Sequence, residues 1–284
     1  MAVDLLRHML SVRDELRFRS TLKRVRALLD GQPVADSSAA VLIWEPRRLV
    51  PSYAVPVDDV QASLSATSDA AGDAQRLPPE VGGGRSVLDP AIAFAAHTTA
   101  GTPMDIQIGG AVRKGAAFRL HDPDLAHLVI LDFAAFDWLE EEEPIISHPR
   151  DPFSRIDIRR SSRHVRVELD GQVLAQSTRP SLLFEGMFPF PRYYLPREDV
   201  RVELLPSQTH TVCAYKGQAA HYSIRTGPSD GSDVAWSYGD PLSDARSVRG
   251  MVAFYQERAD LIVDGKRQPR PRTRWTRRRS VLSE

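Results

Sequence analysis

The stretch Thr-His-Thr-Val-Cys-Ala-Tyr-Lys-Gly at 209–217 concentrates residue types that do chemistry. On a strand, Thr211, Cys213 and Tyr215 alternate and share one face. Lys216 and Gly217 then open a turn, where glycine permits a positive φ. A lysine beside a thiol stabilises the thiolate. Cys213 is therefore a candidate nucleophile, with Lys216 as its electrostatic partner and His210 or His221 as a nearby base. Lys216 also suits a bound phosphate or carboxylate, or a Schiff base once desolvated. Plainer readings stand beside these. A single strand cysteine is a small buried hydrophobe or part of a pocket lining, and a turn lysine is solvated.

Glu185 follows Leu182, Leu183 and Phe184 and recurs as Glu45 earlier in the chain. It reads as an acid or base, or as a structural partner of an arginine. Tyr193, Tyr194, Tyr222, Trp236, Tyr238 and Tyr255 form a local enrichment in a chain with only 7% aromatics. They read as a wall for a planar ligand or as strand residues of a core. The expected ligand-binding set is Glu185, Tyr194, Tyr215, His221, Trp236 and Tyr238. His121, Asp122, Asp124 and His127 have metal-ligand types, but Asp122–Pro123 is also an ordinary turn and the second copy has no histidine there. No metal site is expected. Gly82–Gly84 lacks the Lys-Ser/Thr of a phosphate loop, no Gly-x-Gly-x-x-Gly follows a strand, and no cofactor is expected.

These residues sit within a duplication. Residues 25–60 and 165–200 align without a gap at an offset of 140, with 15 identities in 36 positions. Val165, Val167 and Leu169 alternate with Arg166 and Glu168, the period of a half-buried strand. Asp170–Gly171 follows, repeated as Asp30–Gly31, and this is a strong hairpin signal. Val200, Val202 and Leu204 read as a further strand, as do Val252–Tyr255 and Leu261–Val263. Residues 116–123 fall opposite 234–241, placing Phe118 opposite Trp236. Matching His97–Thr98 with His210–Thr211 puts Ala100, Thr102 and Pro103 where the second copy has Cys213, Tyr215 and Lys216. Matching Lys114–Gly115 to Lys216–Gly217 is the alternative. Either way the first copy has no cysteine, and it reads as a structural or regulatory partner or a lid.

The segments carrying Tyr193–Tyr194, Thr211, Cys213, Tyr215–Lys216–Gly217, Ala235–Trp236, Tyr238, Pro241 and Phe254–Tyr255 resemble the family called domain of unknown function 427. The resemblance covers nearly the whole chain, twice, and is close in the second copy. It implies two tandem, compact, all-β domains of a β-tent type. The family carries a nucleotidyltransferase-like label, for which the motifs above give no support.

The expected organisation is mainly antiparallel β. It runs from a short N-terminal helix (1–20) to a first repeat (21–148, with an insertion at about 65–90), a second repeat (155–265) and a disordered basic tail (266–284). The 37 basic and 37 acidic residues balance, which argues against bulk nucleic-acid or membrane binding. The single cysteine excludes an intrachain disulfide. No apolar run spans a membrane, and charged residues interrupt any signal segment, so a cytoplasmic protein is expected. Only 4 of the basic residues are lysine, a composition suggesting a GC-rich bacterial source. The tail, with Lys266 and seven arginines in 266–279, reads as an anchor for nucleic acid or an anionic surface, as a solubilising end, or as a segment folding back on its acidic body. Two functions follow: a small-molecule-binding or enzymatic domain with its site in the second repeat, or a non-catalytic interaction scaffold using its tail.

Overall fold

The computed structural model describes residues 2–68, 88, 90–186, 188, 190–273 and 276. Most of the expected insertion (69–87 and 89) and the end of the tail (274, 275 and 277–284) lie outside the described residues. The chain divides into two compact units, with the boundary between Asp151 and Pro152.

The first unit begins with helix α1 (Leu5–Ser11), whose N-cap Asp4 accepts from the Arg7 backbone N–H at 3.0 Å. The helix is shorter than the expected 1–20. It gives way to a 3₁₀ turn, and residues 17–20 are strand because they pair with the core strand at Val41–Trp44. The strands are β1 (Arg17–Ser20), β2 (Val25–Leu29), β3 (Gln32–Ser37), β4 (Val41–Trp44), β5 (Ser52–Pro56), β6 (Ser63–Ala66), β7 (Gly101–Ile108), β8 (Ala111–Leu120), β9 (Leu128–Leu131), β10 (Asp137–Glu140) and β11 (Glu143–Ile145). The second unit has β12 (Ile156–Arg160), β13 (Val165–Leu169), β14 (Gln172–Ser177), β15 (Ser181–Glu185), β16 (Arg192–Leu195), β17 (Leu205–Cys213), β18 (Gly217–Ser223), β19 (Ala235–Ser237), β20 (Val252–Phe254), β21 (Asp260–Val263) and β22 (Lys266–Arg267).

Each unit has a seven-stranded and a four-stranded antiparallel sheet. The large sheets run β1-β4-β5-β9-β8-β7-β6 and β12-β15-β16-β20-β19-β18-β17; the small ones run β11-β10-β2-β3 and β14-β13-β21-β22. The two topologies are the same, strand for strand. The duplication extends to details. Both Asp-Gly turns have positive φ at both residues, +51° and +78° for Asp30–Gly31 and +52° and +78° for Asp170–Gly171, the conformation that matches the twist of a tight hairpin. The same register irregularity follows Ala27 and Val167.

In each unit the two sheets share a core. In the second, Val165, Val167 and Leu169 point inward against Tyr193, Leu195, Val252 and Phe254. Val200–Leu204 departs from the expected strand. Val200 makes an isolated bridge to Ala175, and the regular strand begins at Leu205. Val200, Val202 and Leu204 still pack against the core, so their alternation reflects burial without continuous pairing. Asp264–Gly265 turns the chain into β22, so the second unit continues past 265 and the basic segment starts as strand. Arg267 and Arg270 both reach Asp260. Among the described residues no helix is long and apolar enough to cross a membrane.

Candidate functional site

The face of the second unit's large sheet turned away from the shared core carries the candidate residues, and it is itself covered: Leu183, Tyr194, Trp236, Tyr238 and Ala253 form a second buried cluster with Ala245 and Val248 of the 3₁₀ segment Ser243–Val248. Antiparallel pairing puts Tyr194 opposite Ala253, Ala253 opposite Trp236, and Trp236 opposite His221. Directly paired residues project from the same face, so four neighbouring strands present one row. Its small member, Ala253, leaves room above β20, and the Trp236 indole N–H donates to the Tyr194 hydroxyl at 3.2 Å across it. Tyr255 lies against Trp236, with ring centroids 4.5 Å apart.

Lys216 enters this face from the β17–β18 turn. The Cys213–Gly217 pair closes the turn, so Tyr215 lies in it and does not continue the Thr211–Cys213 alternation. Gly217 has φ +95°, and a Cβ there would stand 3.3 Å from the Leu242 backbone nitrogen. That close approach lets the Leu242 N–H donate to the Lys216 carbonyl at 3.1 Å, fixing the lysine backbone. The side chain is buried, and its ammonium donates to Glu185 Oε1 at 2.5 Å. Burial disfavours its charge, but Glu185, with Cys213 and Tyr194, outweighs that and holds the Lys216 pKa above the ordinary lysine value. The amine therefore stays protonated at neutral pH, which favours charge recognition and disfavours the Schiff-base reading.

The structure thus brings Cys213, Lys216, Glu185, Tyr194 and Tyr238 into one electrostatic cluster. Cys213 is half-buried at its edge. Burial pushes the Tyr194 hydroxyl up to about 12, and raises Tyr238 further, with Tyr194, Cys213 and Glu185 adding to it. Both phenols are neutral donors or acceptors under ordinary conditions.

His221 is buried on the same face, and its Nε2 lies 2.9 Å from Thr211 Oγ1. Its hydrogen bond is thus to a hydroxyl and not to Cys213. Burial lowers its pKa, against the opposing pull of Asp233. His210 pairs with Ala220, one position out of phase with Thr211 and Cys213, and so projects from the other face of β17.

Two features escaped the sequence reading. Arg192 and Glu257 form a buried bidentate ion pair, Nη1 to Oε2 at 2.8 Å and Nη2 to Oε1 at 2.7 Å. The rings of Phe188, Phe190, Trp236 and Tyr255 surround the guanidinium at 4.9–5.9 Å. The partners are 65 residues apart, and the available signal was an arginine two positions before a strand tyrosine. The second feature is the correspondence between the units. Strand register sets Phe118 at the place of Trp236, as the sequence expects, and Gly101 at the place of Ala219. Counting back equally, Thr98 stands at the place of Lys216 and His97 at that of Tyr215. His97–Thr98 therefore does not match His210–Thr211. That strand's counterpart is β6, and the length of the intervening insertion hid the correct alignment. The Lys114–Gly115 alternative also fails, because Lys114 lies within β8 and pairs with Asp105 at 2.7 Å.

Around 121–127, Asp122 Oδ1 accepts from the Asp124 N–H at 3.0 Å and His121 Nε2 meets Thr102 Oγ1 at 2.8 Å, so the segment is a hydrogen-bonded turn. Among the described residues no three His, Cys, Asp or Glu side chains gather in a way that could hold a metal ion.

No curated protein matches the chain. Residues 157–265, the whole of the cluster included, match the model of a family described as a domain of unknown function, DUF427. The matched stretch lies within the second unit and takes in its Lys216–Glu185 face.

Proposed function

We propose that the second unit is a small-molecule-binding domain whose site is the outer sheet face around Lys216 and Glu185. The observation that carries this reading is a buried, protonated lysine paired with a carboxylate that remains one-third exposed, beside two neutral tyrosines and a half-buried thiol. An ion pair that served packing alone would close both partners from water, as Arg192 and Glu257 do at 6% and 0% exposure. Here the charged donor is sealed at its stem while its acceptor opens outward, which suits a ligand that completes the pair. Lys216 acts as a fixed positive charge, and the buried Tyr194, Trp236 and Tyr238 support it from beneath. Cys213 stands at the rim as a contact residue; a nucleophilic role would require a substrate carbon or phosphorus held against its sulfur.

The alternative is an interaction scaffold whose basic tail grips anionic partners. Arg267 and Arg270 are already engaged by Asp260, so part of the charge at the start of that tail is taken up by its own domain, and this favours the small-molecule reading. The test is a thermal-shift screen of polar metabolites on the full chain, repeated on Lys216→Met. Compounds that raise the wild-type midpoint but not that of the variant, and that slow iodoacetamide labelling of Cys213, support the site. A screen with no Lys216-dependent compound overturns it.

A further inference from the structure

We propose that the ligand of this site is a planar nitrogen heterocycle of the imidazole type, which donates a ring N–H to the open oxygen of Glu185. The inference rests on the reading above that Lys216 and Glu185 form a small-molecule site, and it comes from comparing the two units.

The repeated carboxylate is treated differently in each. In the first unit Glu45 is sealed, with its side chain 3% exposed. Its Oε1 accepts from the His97 ring Nδ1 at 2.9 Å, and its Oε2 accepts from the Thr98 backbone N–H at 2.8 Å. A carboxylate oxygen is an acceptor, which assigns the donor role in this pair to the imidazole nitrogen. The His97 ring also lies flat on Phe118, with centroids 3.5 Å apart and planes 10° apart. Phe118 is the counterpart of Trp236. The first unit has therefore laid an N–H-bearing ring of its own chain on the shared carboxylate and satisfied both oxygens.

The second unit leaves that arrangement incomplete. Tyr215 replaces His97 and the Lys216 side chain takes Glu185 Oε1. Glu185 Oε2 has no hydrogen bond among the described residues, and the side chain is 33% exposed. Tyr255 occupies the ring position against Trp236. The open place is thus the carboxylate edge beside the aromatic cluster, and what it lacks is the ring donor that the first unit supplies internally. Lys216 already balances the charge of Glu185, so a neutral azole serves and a cationic ligand is not required.

The experiment uses the full chain and four probes: imidazole, benzimidazole, 1-methylbenzimidazole (which lacks the ring N–H) and inorganic phosphate. Binding is read by protection of Cys213 from iodoacetamide and by nuclear magnetic resonance shifts of the tryptophan indole N–H groups. Benzimidazole is expected to protect, and loss of its N–H is expected to weaken binding about tenfold, the size of one hydrogen bond to a charged group. Glu185→Ala should give a similar loss; should that variant not fold, the methylated probe on wild type carries the same test. Equal binding of the methylated and unmethylated probes overturns the inference. Lys216-dependent protection by phosphate with none by the azoles also overturns it, while leaving the small-molecule site standing. Protection by none of the probes, combined with an empty metabolite screen, overturns both.

Discussion

Trp236 and Tyr194 are joined by a hydrogen bond that spans an intervening strand, made possible because Ala253 between them has almost no side chain. In the first unit the same row reads Ala54, Ile130, Phe118 and Pro103. None of those side chains can donate or accept, so the polar row belongs to the second unit alone.

Ala253→Leu should therefore break this contact while keeping the strand. Overpacking a filled face costs about 1–3 kcal/mol. A denaturant titration should show that loss, together with a change in tryptophan fluorescence. An unchanged midpoint would mean that the face has room the packing does not suggest.

The Lys216–Glu185 pair should respond asymmetrically. Glu185→Gln strands a buried ammonium and should cost about 2–4 kcal/mol. Lys216→Met leaves a carboxylate that water can reach, and should cost about 1 kcal/mol or less. Equal costs in chemical denaturation would argue against the burial difference between the partners.

His221 sets a pH dependence. In the unfolded chain its imidazole takes up a proton near pH 6.5, while burial lowers its pKa in the fold. Unfolding therefore gains a proton in the interval between the two values. Stability is full above about pH 6.5 and falls as the pH drops toward the folded value. His221→Gln should flatten that limb below about pH 6.5 in midpoint-versus-pH curves. An identical slope in the variant would assign the effect to another group.

Gly217→Ala tests the turn that delivers Lys216. Its positive φ strains any residue with a Cβ, and the Leu242 nitrogen crowds the added atom. A cost of about 1–3 kcal/mol is expected. Iodoacetamide labelling of Cys213 should also change, because Cys213 pairs with Gly217. A fully stable variant would show that the turn relaxes without disturbing the site.

Sequence reasoning reached the fold because the relevant signals are local. The Asp-Gly turns, the period-two alternation of Val165–Leu169 and the ungapped repeat each lie within a few tens of residues. Even Phe118 opposite Trp236 was readable, since both lie close to the strand that ends its repeat. The pairing of His97 with Glu45 was not readable, because a long insertion separates them and only sheet register fixes the count. Lys216 and Glu185 were each identified, yet their contact joins residues 31 apart, and strand patterning says nothing about which side chains meet at that range. Arg192 and Glu257 were missed for the same reason, and because arginine and glutamate in isolation read as surface residues.

The short strand β22 has a consequence for self-association. It pairs with one side of β21 through Lys266 and Arg267, and β21 would otherwise be the margin of its sheet. A bare margin offers unpaired backbone N–H and C=O groups to any other chain with the same need. The charged residues that open the basic segment thus act as a guard strand. A chain cut after Gly265 would lose that guard and be prone to pair edge to edge with its own copies.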